Sequence, residues 1–516
     1  MTSEVQLDTL EAKGLIKLAT VRPEVEYLFR HALVQDAAYG SLLKQERREL
    51  HAQVGDALEV LYPERVGELS HVLAMHFEQA GQTQKAIDYY VAGAEQALRQ
   101  NAIREAYGAF DRAAVLSDAP GATGQPTQPR ELSKLLRRRV EIEFGRARAG
   151  YSFRSPEESF EALGRVIDDA EAVGDPRLIG AIHTLIVLGR LQNGEPPEAA
   201  EVRTSLDRLN RLAAEAGDPA IGALPKALVG LSQVFAGPVR AGVAALEDSL
   251  PLLEDQQDSI GAAFGRGALA IGYSFLGEFN KADAAARRAT EIAAGGDLIA
   301  QLDALMAQGF VKAQKGELDL AIPIASECFR RSEETGATAC MVVSSWILGD
   351  AFHRQGRFTE ARDVLQRGSD VSLVVDRKVW RPTLQAWLGS AAAALGAVSD
   401  QGFDEALATA RSIGNDFGAA GILAKRAEVD AVGGDLDGAT AAFKASVAYF
   451  EAEGLRPMEA RASMKWGEAL QGAGRLEEAR PILERAQRVF EELGLEREAG
   501  LARTSLSVGG KKLAFD

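Results

Sequence analysis

The chain has 516 residues, of which 46% are hydrophobic and 26% are charged, and this composition excludes an intrinsically disordered protein. Its formal net charge of −16 argues against nucleic acid and anionic membranes as partners. Two cysteines, Cys328 and Cys340, are too few for a disulfide framework, and the first residues lack a signal-peptide pattern. We therefore expect a cytoplasmic protein.

The first 60 residues carry strand and helix patterns that differ from the rest of the chain. Residues 7–20 predict the end of a helix, a glycine cap and a strand, and Arg22-Pro23-Glu24 predicts a turn. Residues 25–31 alternate as a second strand, and residues 32–62 have helical periodicity. A helix, a β-hairpin and a helix make up most of a winged-helix module, so we predict a partial winged-helix segment at 1–60.

The remaining chain divides by composition into a short helical block, a linker and a long regular region. Residues 61–116 predict the first helical repeats, and the Gly, Pro and Thr content of 117–130 predicts a linker. We expect a solenoid of tetratricopeptide-like repeats over 131–507 and a disordered tail over 508–516.

Two series of glycines, each spaced by about 40 residues, mark an internal repeat. The first series has a small residue five positions later and comprises Gly194, Gly237, Gly277, Gly316, Gly356, Gly434 and Gly474. The second series is about half a period out of phase and comprises Gly174, Gly217, Gly296, Gly336, Gly414, Gly454 and Gly494. Apolar residues between the glycines recur with helical spacing. Each unit is therefore predicted to be a helix, a tight turn, a second helix and another tight turn.

This pattern resembles the tetratricopeptide repeat (TPR), with each helix longer by almost a turn. That family has a small residue seven positions before the turn glycine, as at Gly230, Gly309, Gly349 and Gly467. It has a large residue nine positions after the glycine, as at Leu246, Leu365, Phe443 and Leu483. The resemblance implies an all-α fold, a right-handed αα-superhelix of about ten helix pairs between residues 84 and 495, followed by a capping helix.

The N-terminal segment closely resembles the junction of bacterial signal-transduction ATPases of the STAND class, including those fused to class III nucleotide cyclases. The residues that carry this match are Leu10, Lys13-Gly14-Leu15-Ile16, Phe29-Arg30-His31-Ala32-Leu33-Val34-Gln35, Ala38-Tyr39, Leu42-Leu43, Arg47-Arg48 and Leu50-His51. In that class the motif closes the nucleotide-binding region and TPR-like repeats follow, which is the order found here. The resemblance implies that the chain is the C-terminal regulatory part of such a system.

By the same resemblance, His31 occupies the place of a winged-helix histidine that faces the β-phosphate of bound ADP. Related receptors carry Met-His-Asp where this chain has Arg30-His31-Ala32, and no G-x-x-x-x-G-K-[ST] loop is present to hold phosphates. We therefore interpret His31 as a vestigial nucleotide sensor. We expect no cofactor, no metal site and no ATPase or cyclase activity.

The first helices of stacked repeats line the inner face of a superhelix. The candidate binding residues on this face are Leu231, Phe235, Ile271, Phe275, Met306, Phe310, Trp346, Asp350, His353 and Arg354. Two interpretations stay open, a face packed into core and a groove or pocket that binds a peptide or a small effector.

The function expected from these patterns is that of a non-catalytic interaction and sensor module. Its partner would be a protein or peptide, including a separate nucleotide-binding ATPase or cyclase subunit. A free-standing TPR adaptor that binds a peptide is the alternative, and retained enzymatic activity is a third hypothesis.

Overall fold

A computed structural model describes residues 3–20, 26–119, 128–254, 259–294, 296–375, 378–397 and 402–512. The predicted turn at Arg22-Pro23-Glu24 and residues 120–127 of the predicted linker lie outside the described residues. The chain divides into two compact units, unit 1 with residues 1–96 and 108–126, and unit 2 with residues 97–107 and 127–516.

Unit 1 begins with the helix, hairpin and helices that the sequence predicts. Its elements are α1 (Ser3–Ala12), β1 (Ile16–Thr20), β2 (Glu26–Phe29), α2 (Ala32–Ser41), α3 (Lys44–Leu61), a 3₁₀ turn (Pro63–Arg65), α4 (Ser70–Ala80) and parts of α5 (Thr83–Arg99) and α6 (Ile103–Ser117). Strands β1 and β2 pair antiparallel, with Ile16 opposite Phe29. One helix was predicted over 32–62, but the backbone is extended at Leu42 and Leu43, so there are two. The Leu43 N–H donates to Glu46 at 2.7 Å, which caps the second helix.

Unit 2 consists of helices only, among the residues described. They are α7 (Pro129–Gly150), α8 (Pro156–Gly164), α9 (Ile167–Val173), α10 (Pro176–Gln192), α11 (Ala200–Ala216), α12 (Pro219–Ala236), α13 (Val239–Glu254), α14 (Ser259–Leu276), α15 (Phe279–Ala293), α16 (Leu298–Gln314), α17 (Leu318–Thr335), α18 (Thr338–Arg354), α19 (Phe358–Val375), α20 (Arg381–Ala394), α21 (Phe403–Ser412), α22 (Asp416–Gly433), α23 (Leu436–Ala452), α24 (Arg456–Gly472), α25 (Leu476–Glu492) and α26 (Glu496–Lys512). The predicted all-α class is confirmed.

Helices α10 to α25 form eight successive antiparallel pairs, and α26 caps the last pair. Every predicted turn glycine except Gly296 has a positive φ, for example 77° at Gly316 and 81° at Gly474. A side chain would strain this left-handed backbone, which explains why glycine recurs at both ends of each unit. The TPR-like superhelix that the sequence predicts is therefore present. Helix α26 reaches Lys512, five residues into the segment assigned to the tail.

The small residue that precedes the turn glycine of the repeat also has the close contacts expected of it. A methyl group added at Gly467 would lie 2.6 Å from Leu483 Cγ, and one at Gly230 would lie 2.9 Å from the Ala245 Cβ. Real carbon atoms do not approach so closely, so glycine is what lets the two helices of each of these pairs pack in direct contact.

Among the described helices, only α12 is long and apolar enough to cross a membrane, with a mean hydropathy of 1.2 over 18 residues. It packs against α11, α13, α10 and α14 within the repeats. Its apolar character is therefore that of a core helix.

Distant helix pairs of unit 2 also touch one another. Helix α12 packs on α22, and α14 packs on α24, five pairs further along. Other distant parts of unit 2 are joined by hydrogen bonds, since the Ala339 N–H of α18 donates to the Ser152 carbonyl, which follows α7, at 2.8 Å. The Arg497 guanidinium donates to the Arg354 carbonyl at 2.6 Å. Successive superhelical turns of unit 2 are thus in direct contact.

Candidate ligand site

The ten predicted inner-face residues all lie in unit 2, and the structure sorts them into three neighbouring environments. Leu231, Phe235, Ile271 and Met306 line a cavity. Phe275, Phe310 and Trp346 belong to an aromatic cluster. Asp350, His353 and Arg354 belong to a buried network of charged groups.

The cavity has a volume of about 570 Å³, which is within the usual range for pockets that bind small molecules. Its walls come mainly from helices α7, α10, α12, α14, α16 and α18, with Leu98, Ile103, Leu253 and Trp380 completing them. Most of the lining side chains are apolar, including Phe144 on α7, Leu188 on α10 and Phe264 on α14. The first helices of consecutive repeats therefore surround a space that could hold a drug-sized apolar molecule.

One acidic residue stands out in this apolar surface. Asp303 of α16 lines the cavity three residues before Met306, and only 7% of its surface is exposed. Burial, together with the negative charge of Asp297, raises the pKa of the Asp303 carboxyl well above its ordinary value. Burial therefore disfavours the negatively charged form of this carboxyl group.

The aromatic cluster closes the inner face next to the cavity. The ring centroids of Phe275 and Phe310 are 5.2 Å apart, those of Phe310 and Trp346 are 5.6 Å apart, and those of Phe275 and Phe417 are 4.6 Å apart. The remaining space here is about 20 Å³, enough for one water molecule at most. These three predicted residues are buried in the core, and Phe417 of α22 packs on Phe275 from the next superhelical turn.

The charged network continues from the cluster. The Trp387 indole N–H donates to Asp350 at 3.0 Å, and the Ser390 hydroxyl lies 3.1 Å from His353 Nε2. Arg354 donates to the Ala313 carbonyl at 2.7 Å and forms an ion pair with Glu498 of α26. Asp350, His353 and Arg354 are thus committed to contacts within the chain.

The sequence analysis missed Asp303, Trp380 and the contribution of α7 and α10 to the cavity. Asp303 had a signal, because it is a single acid three residues before Met306 on an apolar helix and so shares its face. No sequence pattern marks Trp380 or α7 as part of the cavity, because only the packing of helices distant in the chain brings them there.

The other residues considered for chemistry occupy ordinary surroundings. His31 is exposed at the N-terminus of α2. Cys328 and Cys340 are both buried, Cys340 in the wall of the cavity, and burial raises the pKa of the Cys328 thiol to about 12. No three potential metal ligands come together anywhere in the described part of the chain.

Unit 1 has an unusually exposed apolar surface, which we call the N-terminal apolar surface. Of the 23 exposed large hydrophobic residues in the described chain, 14 lie between residues 5 and 75. Leu33 is 81% exposed and Val60 is 77% exposed. Ile16 and Gly55 are the only buried residues among those described with side chains before Ser70. The helices and hairpin of this segment therefore share almost no core of their own.

No family model matches the chain. One curated protein, described as uncharacterized protein R02095 of Rhizobium meliloti (strain 1021), is 28% identical over 99 residues, which are 19% of this chain. The match spans about a tenth (10%) of the length of that relative.

The chain is also similar to several solved structures of low sequence identity. A Rap protein complexed with competence and sporulation factor is 14% identical, with 74% of this chain and 99% of that one covered and a TM-score of 0.46. The APC/C hetero-tetramer Cut9-Hcn1 is also 14% identical, with 93% and 96% covered and a TM-score of 0.46. The STAND protein with a TPR sensor, PH0952 from Pyrococcus horikoshii, is 14% identical, with 84% and 74% covered and a TM-score of 0.40. Similarities at this level carry no argument about function.

Proposed function

We propose that this chain is a non-catalytic sensor module of the cytoplasm and that its repeat unit binds a small effector on the inner face. The observation that carries the proposal is the cavity of about 570 Å³, which the first helices of consecutive repeats surround. A long peptide groove is disfavoured, because the neighbouring stretch of the inner face is filled by the aromatic cluster and the charged network. The effector would therefore be a compact molecule.

A variant that fills the cavity tests this proposal. Ala181 of α10 lines the cavity, and Ala181→Phe would occupy part of it. We expect the neutral probe 1-naphthylmethanol to bind the wild-type chain in calorimetry and to bind the variant at least tenfold more weakly. Ala214→Phe, on the exposed side of α11, is the control and should bind like the wild type. Equal binding of the probe to both Phe variants would refute a cavity that accepts ligands, and so would failure of both this probe and its ammonium analogue, 1-naphthylmethylammonium, to bind the wild type.

A second function, the docking of a protein partner, is favoured by the N-terminal apolar surface. A segment with almost no core of its own gains stability when another surface covers its apolar side chains. Following the resemblance to the STAND class, we propose that the partner is a nucleotide-binding ATPase or cyclase module. That module would either be a separate subunit or belong to the same polypeptide.

The docking proposal is tested by placing charges on the most exposed apolar positions. We expect the double variant Leu33→Glu/Val60→Glu to remain folded, because both side chains are solvent-exposed, and to lose a nucleotide-binding protein that co-purifies with the wild type from host cells. Val374→Glu, at a similarly exposed position on unit 2, is the control and should retain the partner. Recovery of the same partner with the double variant, or of no nucleotide-binding protein with the wild type, would contradict the proposal.

A further inference from the structure

We propose that Asp303 is the anchoring residue of the cavity and that the ligand class is an apolar molecule carrying one ammonium group. This inference rests on the proposed function, because it requires the cavity to accept a ligand. It goes further by naming the group that the ligand presents and the residue that meets it.

The surroundings of Asp303 lack the counter-charge that a buried carboxylate needs. None of the described residues forms a hydrogen bond or an ion pair with its side chain. Asp297, also a lining residue of the cavity, is a second acid and repels negative charge. Elsewhere in unit 2, by contrast, buried acids such as Glu459 and Glu498 have an arginine partner. Asp303 therefore has its hydrogen-bonding capacity directed to the cavity.

A ligand ammonium group would supply the missing charge. A buried carboxylate without a partner is costly, whereas a carboxylate paired with an ammonium group in a low-dielectric site is held by a strong, charge-assisted hydrogen bond. Two acids at one wall also favour a cation over a neutral or anionic group. The lining arginines, Arg148 and Arg177, are exposed to solvent, which screens their repulsion of a cation.

The apolar part of the ligand follows from the remaining walls. Phe235, Phe264 and Trp380 line the same cavity and offer aromatic surface to an aromatic or aliphatic body. Ring faces also attract cations, so these walls do not oppose a nearby ammonium group. A ligand with a single ammonium group on a compact hydrophobic body therefore matches both Asp303 and the apolar walls of the cavity.

Two probes of the same shape test the assignment. The first is 1-naphthylmethylammonium and the second is 1-naphthylmethanol, which replaces the ammonium group by a neutral hydroxyl. We expect the wild-type chain to bind the ammonium probe at least tenfold more tightly than the alcohol. Asp303→Asn keeps the size of the side chain and its ability to hydrogen-bond but cannot become charged. This variant should bind the ammonium probe at least tenfold more weakly than the wild type does. Its affinity for the alcohol should stay within threefold of the wild-type affinity.

The control is Asp218→Asn, because Asp218 also lines the cavity but caps helix α12 through the Ala220 N–H at 2.9 Å, a role that asparagine can take over. It should leave the preference for the ammonium probe unchanged. Equal affinity of the two probes for the wild type would overturn the inference while leaving the cavity function intact, and it does not depend on any variant folding. An unchanged ammonium affinity in Asp303→Asn would also overturn it. Binding of neither probe would overturn both the inference and the cavity function.

Discussion

His353 and Asp303 are both buried titratable residues on the inner face of unit 2, but their surroundings differ. His353 lies 3.1 Å from the Ser390 hydroxyl and 3.8 Å from Glu428, in a network that also holds Lys425. Asp303 has no positively charged partner among the described residues and lines an apolar cavity, with a second acid, Asp297, nearby. The contacts of His353 give it a role in the stability of the fold, whereas Asp303 makes no such contacts. This difference is why we assign ligand binding to Asp303.

The pH dependence of stability should report the burial of His353. Burial, followed by the positive charge of Lys425, lowers the pKa of His353 from 6.5 to about 4. Between these two values the unfolded state binds a proton that the folded state does not, so stability falls as the pH falls. From pH 7 to pH 5 the loss due to this residue should be about 2 kcal/mol.

His353→Gln should remove that part of the pH dependence. All four tryptophans lie in unit 2, so their fluorescence during urea unfolding reports this unit alone. The difference in unfolding free energy between pH 7 and pH 5 should be smaller in the variant by about 2 kcal/mol. His31→Gln, at an exposed position of unit 1, serves as control. Identical pH dependence in the wild type and His353→Gln would show that the histidine is not buried as described.

At the scale of elements, the helix pairs could be predicted because their turns and contacts require particular residues. A left-handed turn needs glycine, and the close helix contact at Gly467 needs a residue without a side chain, so the sequence pattern itself carries this geometry. The break between α2 and α3 could not be predicted, because Leu42 and Leu43 are good helix formers. The start of the second helix is stabilised locally, because the Leu43 N–H donates to the Glu46 carboxylate at 2.7 Å.

A single methyl group should be enough to test the close packing within a pair. Gly467→Ala should lower the unfolding free energy of unit 2 by about 1–3 kcal/mol, because the new Cβ would overlap Leu483. Gly500→Ala is the matched control on α26, where no atom lies within 4 Å of an added Cβ. That substitution should be neutral or stabilise by up to about 1 kcal/mol, because alanine favours helix. Urea unfolding followed by tryptophan fluorescence measures both, and equal stability of the two variants would contradict the packing described.

At the scale of the whole molecule, the sequence identified the inner face but could not divide it into cavity, core and ionic network. That division depends on which helices of the next superhelical turn approach each position. Phe275 is core because Phe417 of α22 reaches it, whereas Met306 still faces open space. Contacts between residues so far apart in the chain leave no periodic signal in a single sequence. The exposure of the N-terminal apolar surface was likewise not predictable from the sequence, because it depends on how few apolar side chains the described segment buries.

The contacts between superhelical turns have a consequence for how this repeat array can change in length. In an ordinary solenoid each repeat touches only its neighbours, so repeats can be gained or lost one at a time. Here the guanidinium group of Arg461 donates a hydrogen bond to the Gln314 carbonyl, and that of Arg497 donates one to the Arg354 carbonyl. In each case the two residues lie several helix pairs apart in the chain. Loss of a single intervening pair would move all these partners out of register at once. The number of pairs in unit 2 is therefore constrained as it is in a closed ring, and unfolding should be cooperative across the turns rather than spreading from one end.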